Sequence, residues 1–336
     1  MREFDSLTMH GRARRLRGLA QNALEAYDID VVRIRLVSNE ANCTFRVDAG
    51  DGRSYALRIN LPGMVTRLSI RSEMIWQEAL WHDTDVAVPQ PIRTRDGDLV
   101  VAASGNGVPE MRLCNLSSWV YGRTLSRSRT TGNFRQLGEL SAKLHRHGAT
   151  FIPPPDFDLP VLDTVVPSWR PDPLFEGGQV NTLPDSARDL IIEMREALGK
   201  DLARMYQPGS QPQLIHADLH WWNVLVYRGT LHPIDFEDFA RAFPIQDIAI
   251  TFCYVLWDER YEDFLDAYRE GYEQVLLWPE EYDGQLELML AQKALRLLNL
   301  LMISPYRNER ELIPEYVDII EKTYRSHFGR WKSLRG

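Results

Sequence analysis

Apolar and polar positions follow two regimes along the chain. Leu7–Tyr27 carries Leu16, Leu19, Ala20, Ala23 and Leu24 at the three-and-four spacing of one helix face. β-Branched, partly alternating runs then predict strands at Val31–Val37, Cys43–Val47 and Ser54–Ile59. The last two flank Ala49-Gly50-Asp51-Gly52, a hairpin turn signal. Helical periodicity returns over Ser69–His82 through Ile70, Met74, Ile75, Ala79 and Leu80, and Val86-Ala87-Val88-Pro89-Gln90-Pro91 stops it. Two further strands are expected around Leu99–Ala102 and Met111–Cys114.

The pattern changes after Trp119-Val120-Tyr121-Gly122. Phe134, Leu137, Leu140, Ser141 and Leu144 form one stripe of a helix over Asn133–Gly148. Phe151–Pro173, rich in proline and aromatic residues, predicts a long ordered loop. A helix is expected over Ala187–Tyr206, then loop, strand, turn and strand over Leu214–Phe236 with Arg228-Gly229 at the turn. From Pro244 onward the pattern is helical, with helices over Tyr261–Val275, Tyr282–Ser304 and Pro314–Trp331. Strands dominate the first part and helices the second, so the expected class is α+β with two lobes.

Composition narrows the function classes. A length of 336 residues is long enough for two domains and a large core. Lys and Arg number 39 against 47 Asp and Glu, a net charge of −8, which gives no global attraction for nucleic acid or an anionic membrane. The local basic stretch Arg12, Arg14, Arg15 and Arg17 reads as the solvated face of the first helix. Cys43, Cys114 and Cys253 are odd in number and widely spaced, which predicts neither a disulfide framework nor a zinc site and makes a reducing cytoplasm the expected location. Met1–Ala20 is charged throughout and has no apolar segment of the signal-peptide kind. The longest apolar run, Ile248–Trp257, is too short to span a bilayer.

The chemistry is concentrated in Leu214-Ile215-His216-Ala217-Asp218-Leu219-His220-Trp221-Trp222-Asn223-Val224-Leu225-Val226 and in His232-Pro233-Ile234-Asp235-Phe236-Glu237. An Asp, an Asn five residues later and an Asp twelve beyond that form a phosphoryl-transfer layout. One carboxylate faces the acceptor hydroxyl. The Asn oxygen and the second Asp face a hard cation, Mg²⁺, against the nucleotide phosphates.

This segment resembles the aminoglycoside phosphotransferase/choline kinase superfamily, the small-molecule branch of the protein-kinase-like fold. Its signature H-x-D-x-x-x-x-N, then I-D-[FW]-[ED], is met by His216, Asp218, Asn223 and Asp235. The resemblance implies Asp218 as catalytic residue, Asn223 and Asp235 as metal ligands, and His216 as a structural support. Asp247, in Pro244-Ile245-Gln246-Asp247-Ile248-Ala249, is similar to a later family Asp that braces the catalytic loop. Ser38–Val47 resembles the phosphate-covering turn with Asn42 before its second strand, and Tyr55-Ala56-Leu57-Arg58-Ile59 the strand whose basic residue contacts the phosphates. Glu73 resembles the helix glutamate that pairs with that base. Ser117–Leu125 looks like the adenine-binding hinge, with Trp119 within it. The implied division is a nucleotide-binding lobe over 1–116, a hinge over 117–125 and a catalytic, substrate-binding lobe over 126–336. The implied cofactors are ATP and Mg²⁺. The pattern departs from the family in three places: Arg58 stands where Lys is usual, the nucleotide turn has no glycine, and Ser117 and Ser118 replace an acidic hinge residue. These bear on nucleotide affinity and on ATP versus GTP.

Each residue also has a plainer reading. Arg58 is otherwise a solvated strand-face charge, and Glu78 rivals Glu73 as its partner. His216-x-Asp218-x-His220 could ligate a metal, but nothing completes a zinc site. Trp221 and Trp222 are either packing or an aromatic wall for a substrate, possibly cationic in chemistry. Glu237 and Asp238 either attract an amine or are exposed charges. The resemblance favours an ATP:Mg²⁺ phosphotransferase acting on a hydroxyl of an amino-alcohol, amino acid or amino sugar, of the homoserine-kinase-like or stress-kinase-like bacterial group. Its alternatives are a stress-type protein Ser/Thr kinase and a nucleotide-binding pseudokinase.

Overall fold

In the computed structural model, helix α1 (Met9–Leu24) begins where the Thr8 hydroxyl accepts the Gly11 amide, an N-cap that satisfies one of the helix's unpaired N–H groups. The structure describes residues 3, 4, 6–39, 42–304 and 307–325. Glu40 and Ala41 of the phosphate-covering turn, Tyr306, and the last stretch of the helix expected to reach Trp331 lie outside them. Two compact units emerge: Met1–Arg123 with Ile152–Leu159 and Leu225–Glu237, and Thr124–Phe151 with Pro160–Val224 and Asp238–Gly336.

The first unit is built on an antiparallel sheet of β1 (Val31–Asn39), β2 (Cys43–Ala49), β3 (Ser54–Ile59), β4 (Val101–Ala103) and β5 (Arg112–Ser118), in the order β1-β2-β3-β5-β4. The strand period of two divides it into faces. Phe45, Leu57 and Leu116 are in register and pack with Leu19, Ala20 and Ala23 of α1 in one core. Thr44, Arg58 and Asn115, one position along each strand, form the adjacent row. Helix α2 (Arg67–Asp83) starts at a Thr66–Ser69 capping box and buries Ile70, Glu73, Met74 and Gln77, one stripe at helical spacing. Two of those four are polar, which already sets this stripe apart from a plain core face. Later in the chain, β6 (Arg123–Thr124) and β7 (Gln213–Ile215) precede β8 (Val224–Tyr227) and β9 (Thr230–Pro233). The last two join through Arg228 and Gly229, at φ 51° and 80°, the left-handed pair that a two-residue hairpin requires. This hairpin returns the chain to the first unit, carrying Asp235 and Glu237 with it.

The second unit is helical: α3 (Thr131–Thr150), α4 (Asp185–Met205), α5 (Pro244–Cys253), α6 (Tyr261–Tyr272) and α7 (Gln285–Ile303). Its short ribbon pairs β7 with β10 (Ala240–Ala242), Ile215 opposite Ala240. The pattern gave no sign of β10, because two alanines and an arginine carry little strand preference; its pairing with β7 makes it a strand. Helix α6 stops at Tyr272 rather than Val275, and α7 starts after Gly284, whose φ of 88° only glycine adopts freely. Strand β5 is longer than expected and takes in Ser117 and Ser118. The expected C-terminal helix is α-helical over Ile313–Ile319 and continues as a π-turn over Ile320–Tyr324. Among the described residues no helix is long and apolar enough to cross a membrane. All three cysteines are free and buried, and burial pushes the Cys43 and Cys114 thiols up to about 12.

Helices α3 and α6 approach so closely that a Cβ on Gly138 would collide with the Tyr268 carbonyl, and one on Gly271 with the Arg135 carbonyl. Gly138→Ala should therefore lower stability by about 1–3 kcal/mol, the cost of overpacking a filled site. Gly199→Ala on α4, where a Cβ meets nothing within 4 Å, should be neutral or stabilising by up to about 1 kcal/mol. Urea unfolding of the two variants checks the contrast; equal midpoints would contradict the close crossing.

Candidate active site

The loop after β7 is held from below by α5. Asp247 lies in the first turn of that helix and is fully buried. Its Oδ1 accepts the Ala217 amide at 2.8 Å and its Oδ2 meets His145 Nε2 at 2.9 Å. His145 Nδ1 lies 2.9 Å from the Tyr272 hydroxyl, so both ring nitrogens are engaged. One turn further along α5, Thr251 Oγ1 donates to Leu219 O at 2.7 Å. The two bonds grip the backbone on either side of Asp218. Ala217 sits at φ 60°, a left-handed conformation that costs a non-glycine residue energy and that the Asp247 bond maintains. His216 is buried, and its Nδ1 accepts the Asp218 amide at 3.3 Å.

Asp218 gathers three partners. Lys293 Nζ on α7 lies 3.1 Å from Oδ1, while Asn223 Nδ2 at 2.9 Å and His220 Nε2 at 3.3 Å face Oδ2. Burial alone would raise the Asp218 carboxyl, but the Lys293 ammonium and His220 outweigh it and hold the group well below the usual carboxylate range. Asp218 is thus ionised at neutral pH. Asn223 Nδ2 also donates to Asp218 O at 3.0 Å. Two acceptor oxygens fix the orientation of the amide, so Asn223 Oδ1 is the end left to ligate a cation.

Trp221 is buried under the Arg129 guanidinium, 5.1 Å from its ring, and acts as packing. Trp222 is 47% exposed and stands edge-on to His220 and Tyr254, so it alone of the two forms an open aromatic wall. Asp238 accepts from Arg170 at 3.1 Å.

The first unit carries a second set. Arg58 on β3 forks onto Glu73 of α2, Nη1 to Oε1 at 3.1 Å and Nη2 to Oε2, and its Nε reaches Asn115 Oδ1 at 3.3 Å. Gln77 donates to the same glutamate at 2.9 Å. Glu78 pairs with Arg93 instead. Asp235 Oδ1 lies 3.6 Å and Glu237 Oε2 3.7 Å from Arg58 Nη1. Burial opposes the Arg58 charge, yet the surrounding carboxylates raise its pKa further. Asp235 is a non-glycine residue at φ 63°. Asn42 bridges the set, donating to Glu237 at 2.5 Å and accepting the Leu61 amide at 3.1 Å. Glu237 and Asp238, adjacent in sequence, fall in different units. Trp119 stacks under Arg46 and donates its amide to Ser54 O at 2.9 Å. The Trp119 amide is thus committed within the fold. Trp119 also lines a pocket of about 400 Å³ with Val86, Val88, Tyr121 and His232.

Sequence reasoning missed His145, Thr251, Lys293 and Arg296. A signal existed for two: Lys293, Arg296 and Asn299 recur every three residues in the largely apolar second half of α7.

A family model described as Phosphotransferase enzyme family matches residues 33–283. Over 121 residues the chain is 27% identical to amicoumacin kinase of Bacillus subtilis (strain 168), covering 33% of this chain and 34% of that protein, so it spans about a third of that relative's length. Among solved structures, a microcompartment-associated aminopropanol kinase superposes with a TM-score of 0.76 at 24% identity, over 93% of this chain and 98% of the other. An amicoumacin kinase in complex with AMP-PNP, Ca²⁺ and Ami gives 0.71 at 19%, over 94% and 96%. A spectinomycin phosphotransferase in complex with ADP and spectinomycin gives 0.64 at 16%, over 94% and 98%. These likenesses show a shared fold.

The Lys293–Asp218 pair should govern acid stability. Asp218 has its pKa lowered in the folded state, so its stabilisation is complete above an unfolded value of about 4 and is lost as pH falls through the folded value. Lys293→Met removes the main cause of that shift. The stability gap between wild type and variant should be widest near neutral pH and narrow below about pH 4. Urea midpoints across that range test this, and a constant gap would contradict it.

Proposed function

Because the chain belongs to the phosphotransferase enzyme family, we propose that it moves the γ-phosphate of ATP, with Mg²⁺, to a hydroxyl of a small metabolite: an amino-alcohol, amino acid or amino sugar. The observation that carries this reading is the Asp218–Asn223 pair, a carboxylate held ionised on a braced loop beside an amide whose oxygen is turned outward. The aminopropanol kinase, amicoumacin kinase and spectinomycin phosphotransferase among the related proteins support a small-molecule acceptor, and the AMP-PNP and ADP complexes support a nucleotide donor.

Each residue has one task in the reading. Asp218 orients the acceptor hydroxyl and takes its proton. A carboxylate this acidic is a weak base, which suits a loose transition state where the proton leaves late and positioning dominates. Asn223 Oδ1 and an oxygen of Asp235 would hold Mg²⁺. Two protein oxygens fit a cation that fills its remaining positions with phosphate oxygens and water. Bound there, the ion neutralises charge building up on the phosphates. Arg58, its fork held by Glu73 and its Nε by Asn115, offers its remaining N–H groups to a phosphate oxygen. Asn42 supports the phosphate-covering turn, and the hinge amide at Val120 beside Trp119 faces the base.

Asp218→Asn should lower kcat by at least about 10²-fold, the low end of the general acid–base range, and leave nucleotide binding largely intact. Asp235→Ala should abolish turnover and weaken Mg·ATP more than free ATP. ADP release with a panel of hydroxylated amines, amino acids and amino sugars reads both. Near-normal turnover by folded Asp218→Asn would remove Asp218 from the chemistry. Phosphate arriving on an added protein and on no small acceptor would favour a protein kinase.

Arg58→Ala should weaken Mg·ATP and slow transfer, and Arg58→Lys should keep part of both, since the charge survives without the fork. Wild-type affinity and rate in Arg58→Ala would leave Arg58 as a strand-face charge.

A further inference from the structure

Helix α7 is almost wholly apolar except for one polar edge, and that edge is tied to the long proline-rich loop. Gln292 Nε2 donates to Thr164 O at 2.9 Å. Two turns on, Asn299 Nδ2 donates to Pro171 O at 2.8 Å, and Asn299 Oδ1 accepts the Leu174 amide at 3.3 Å. Lys293 and Arg296 lie between these two clamps on the helix, and Arg170 lies between them on the loop. Lys293 is spent on Asp218 at 3.1 Å and Arg170 on Asp238 at 3.1 Å.

Arg296 is different. It is 8% exposed, yet it makes no hydrogen bond or ion pair with any described residue. Its nitrogens are not sealed away: no atom of Arg296 is among the enclosed side-chain nitrogens and oxygens of the described residues that lack a partner. A guanidinium that is nine-tenths buried, unpaired and still reached by solvent faces a space rather than a partner. Burial depresses its pKa, while Asp238 and Asp218 act on it only at a distance. Lys293 is paired with Asp218 and Arg170 with Asp238, which leaves the Arg296 charge in excess of the ion pairs formed among the described residues. A cationic acceptor would add to that excess. An oxyanion would cancel it and fit the guanidinium fork.

We propose that the acceptor carries an anionic group, a carboxylate or a phosphate, in addition to the hydroxyl that receives the phosphoryl group, and that Arg296 binds it with Arg170 at its side. This rests on the phosphotransferase reading and narrows its substrate class to the members that bear an oxyanion, the amino acids among those named above. It also reverses the sense of the local charge read from Glu237 and Asp238. Asp238 is already paired with Arg170, and Glu237 with Asn42 beside Arg58.

Matched acceptors test the proposal: serine with ethanolamine, 4-hydroxybutyrate with 1,4-butanediol, and glycerol 3-phosphate with glycerol, added to the panel above and read by ADP release. The anionic member of at least one pair should exceed its partner in kcat/KM by about 10-fold or more, the range of a charged hydrogen bond. A preference for the first two pairs identifies a carboxylate, and for the third a phosphate. Arg296→Met should collapse that ratio toward one and raise KM for the anionic member more than it lowers kcat. Arg296→Lys should keep part of the ratio. Without ligand, Arg296→Met should raise Tm, because an apolar side chain replaces an unpaired buried charge; a structural arginine would lower it. Neutral or cationic members used as well as their anionic partners, an unchanged ratio in Arg296→Met, or a fall in its Tm would overturn the proposal while turnover leaves the phosphotransferase reading standing. No ADP release with any acceptor would overturn that reading and this one with it.

Discussion

One buried carboxylate organises the loop that carries Asp218. Asp247 has no solvent to satisfy it, so both oxygens must find donors within the fold. One takes the amide of Ala217 and the other His145, whose second nitrogen is fixed in turn by Tyr272. The pairing of α3, α5 and α6 around these three side chains thus specifies the backbone immediately before Asp218. The Gly138–Gly271 crossing lets α3 and α6 come close enough for His145 and Tyr272 to meet, which makes two glycines far from the loop part of its geometry.

The first unit solves a comparable problem on a sheet. Alternation sends Phe45 and Leu57 into the α1 core and leaves Arg58 and Asn115 in the neighbouring row, where α2 offers Glu73 and Gln77 from its buried stripe. A guanidinium buried to this depth needs such an arrangement, because an unpaired charge there is costly. The result is a fork fixed on Glu73, with two carboxylates from the segment after the β8–β9 hairpin close to Nη1.

Charge placement separates what is spent on structure from what is left for a ligand. Lys293 is committed to Asp218 and explains why that carboxyl stays ionised despite burial. Arg170 is committed to Asp238. Arg296 is committed to nothing among the described residues, and burying a cation in that way lowers stability unless a bound anion restores the balance. Sites of this kind trade folding stability for recognition.

Much of this was legible in the chain alone. Strand alternation and helical stripes are local patterns, so the longer strands and helices could be placed within a few residues, and the Asp218, Asn223 and Asp235 spacing falls within one short loop and hairpin. The family match over residues 33–283 agrees with the resemblance those motifs carried. Tertiary structure decided what depends on distant partners. It chose Glu73 over Glu78 for Arg58, because only one faces the sheet. It buried Trp221 and left Trp222 open. It made a strand of Ala240–Ala242 through β7 alone. It also brought Lys293 to Asp218 from a helix 75 residues away in sequence, a pairing no local period encodes. Local spacing sets which face a side chain takes; whether that face meets a carboxylate, a carbonyl or open space is set by the packing of segments far apart in the chain.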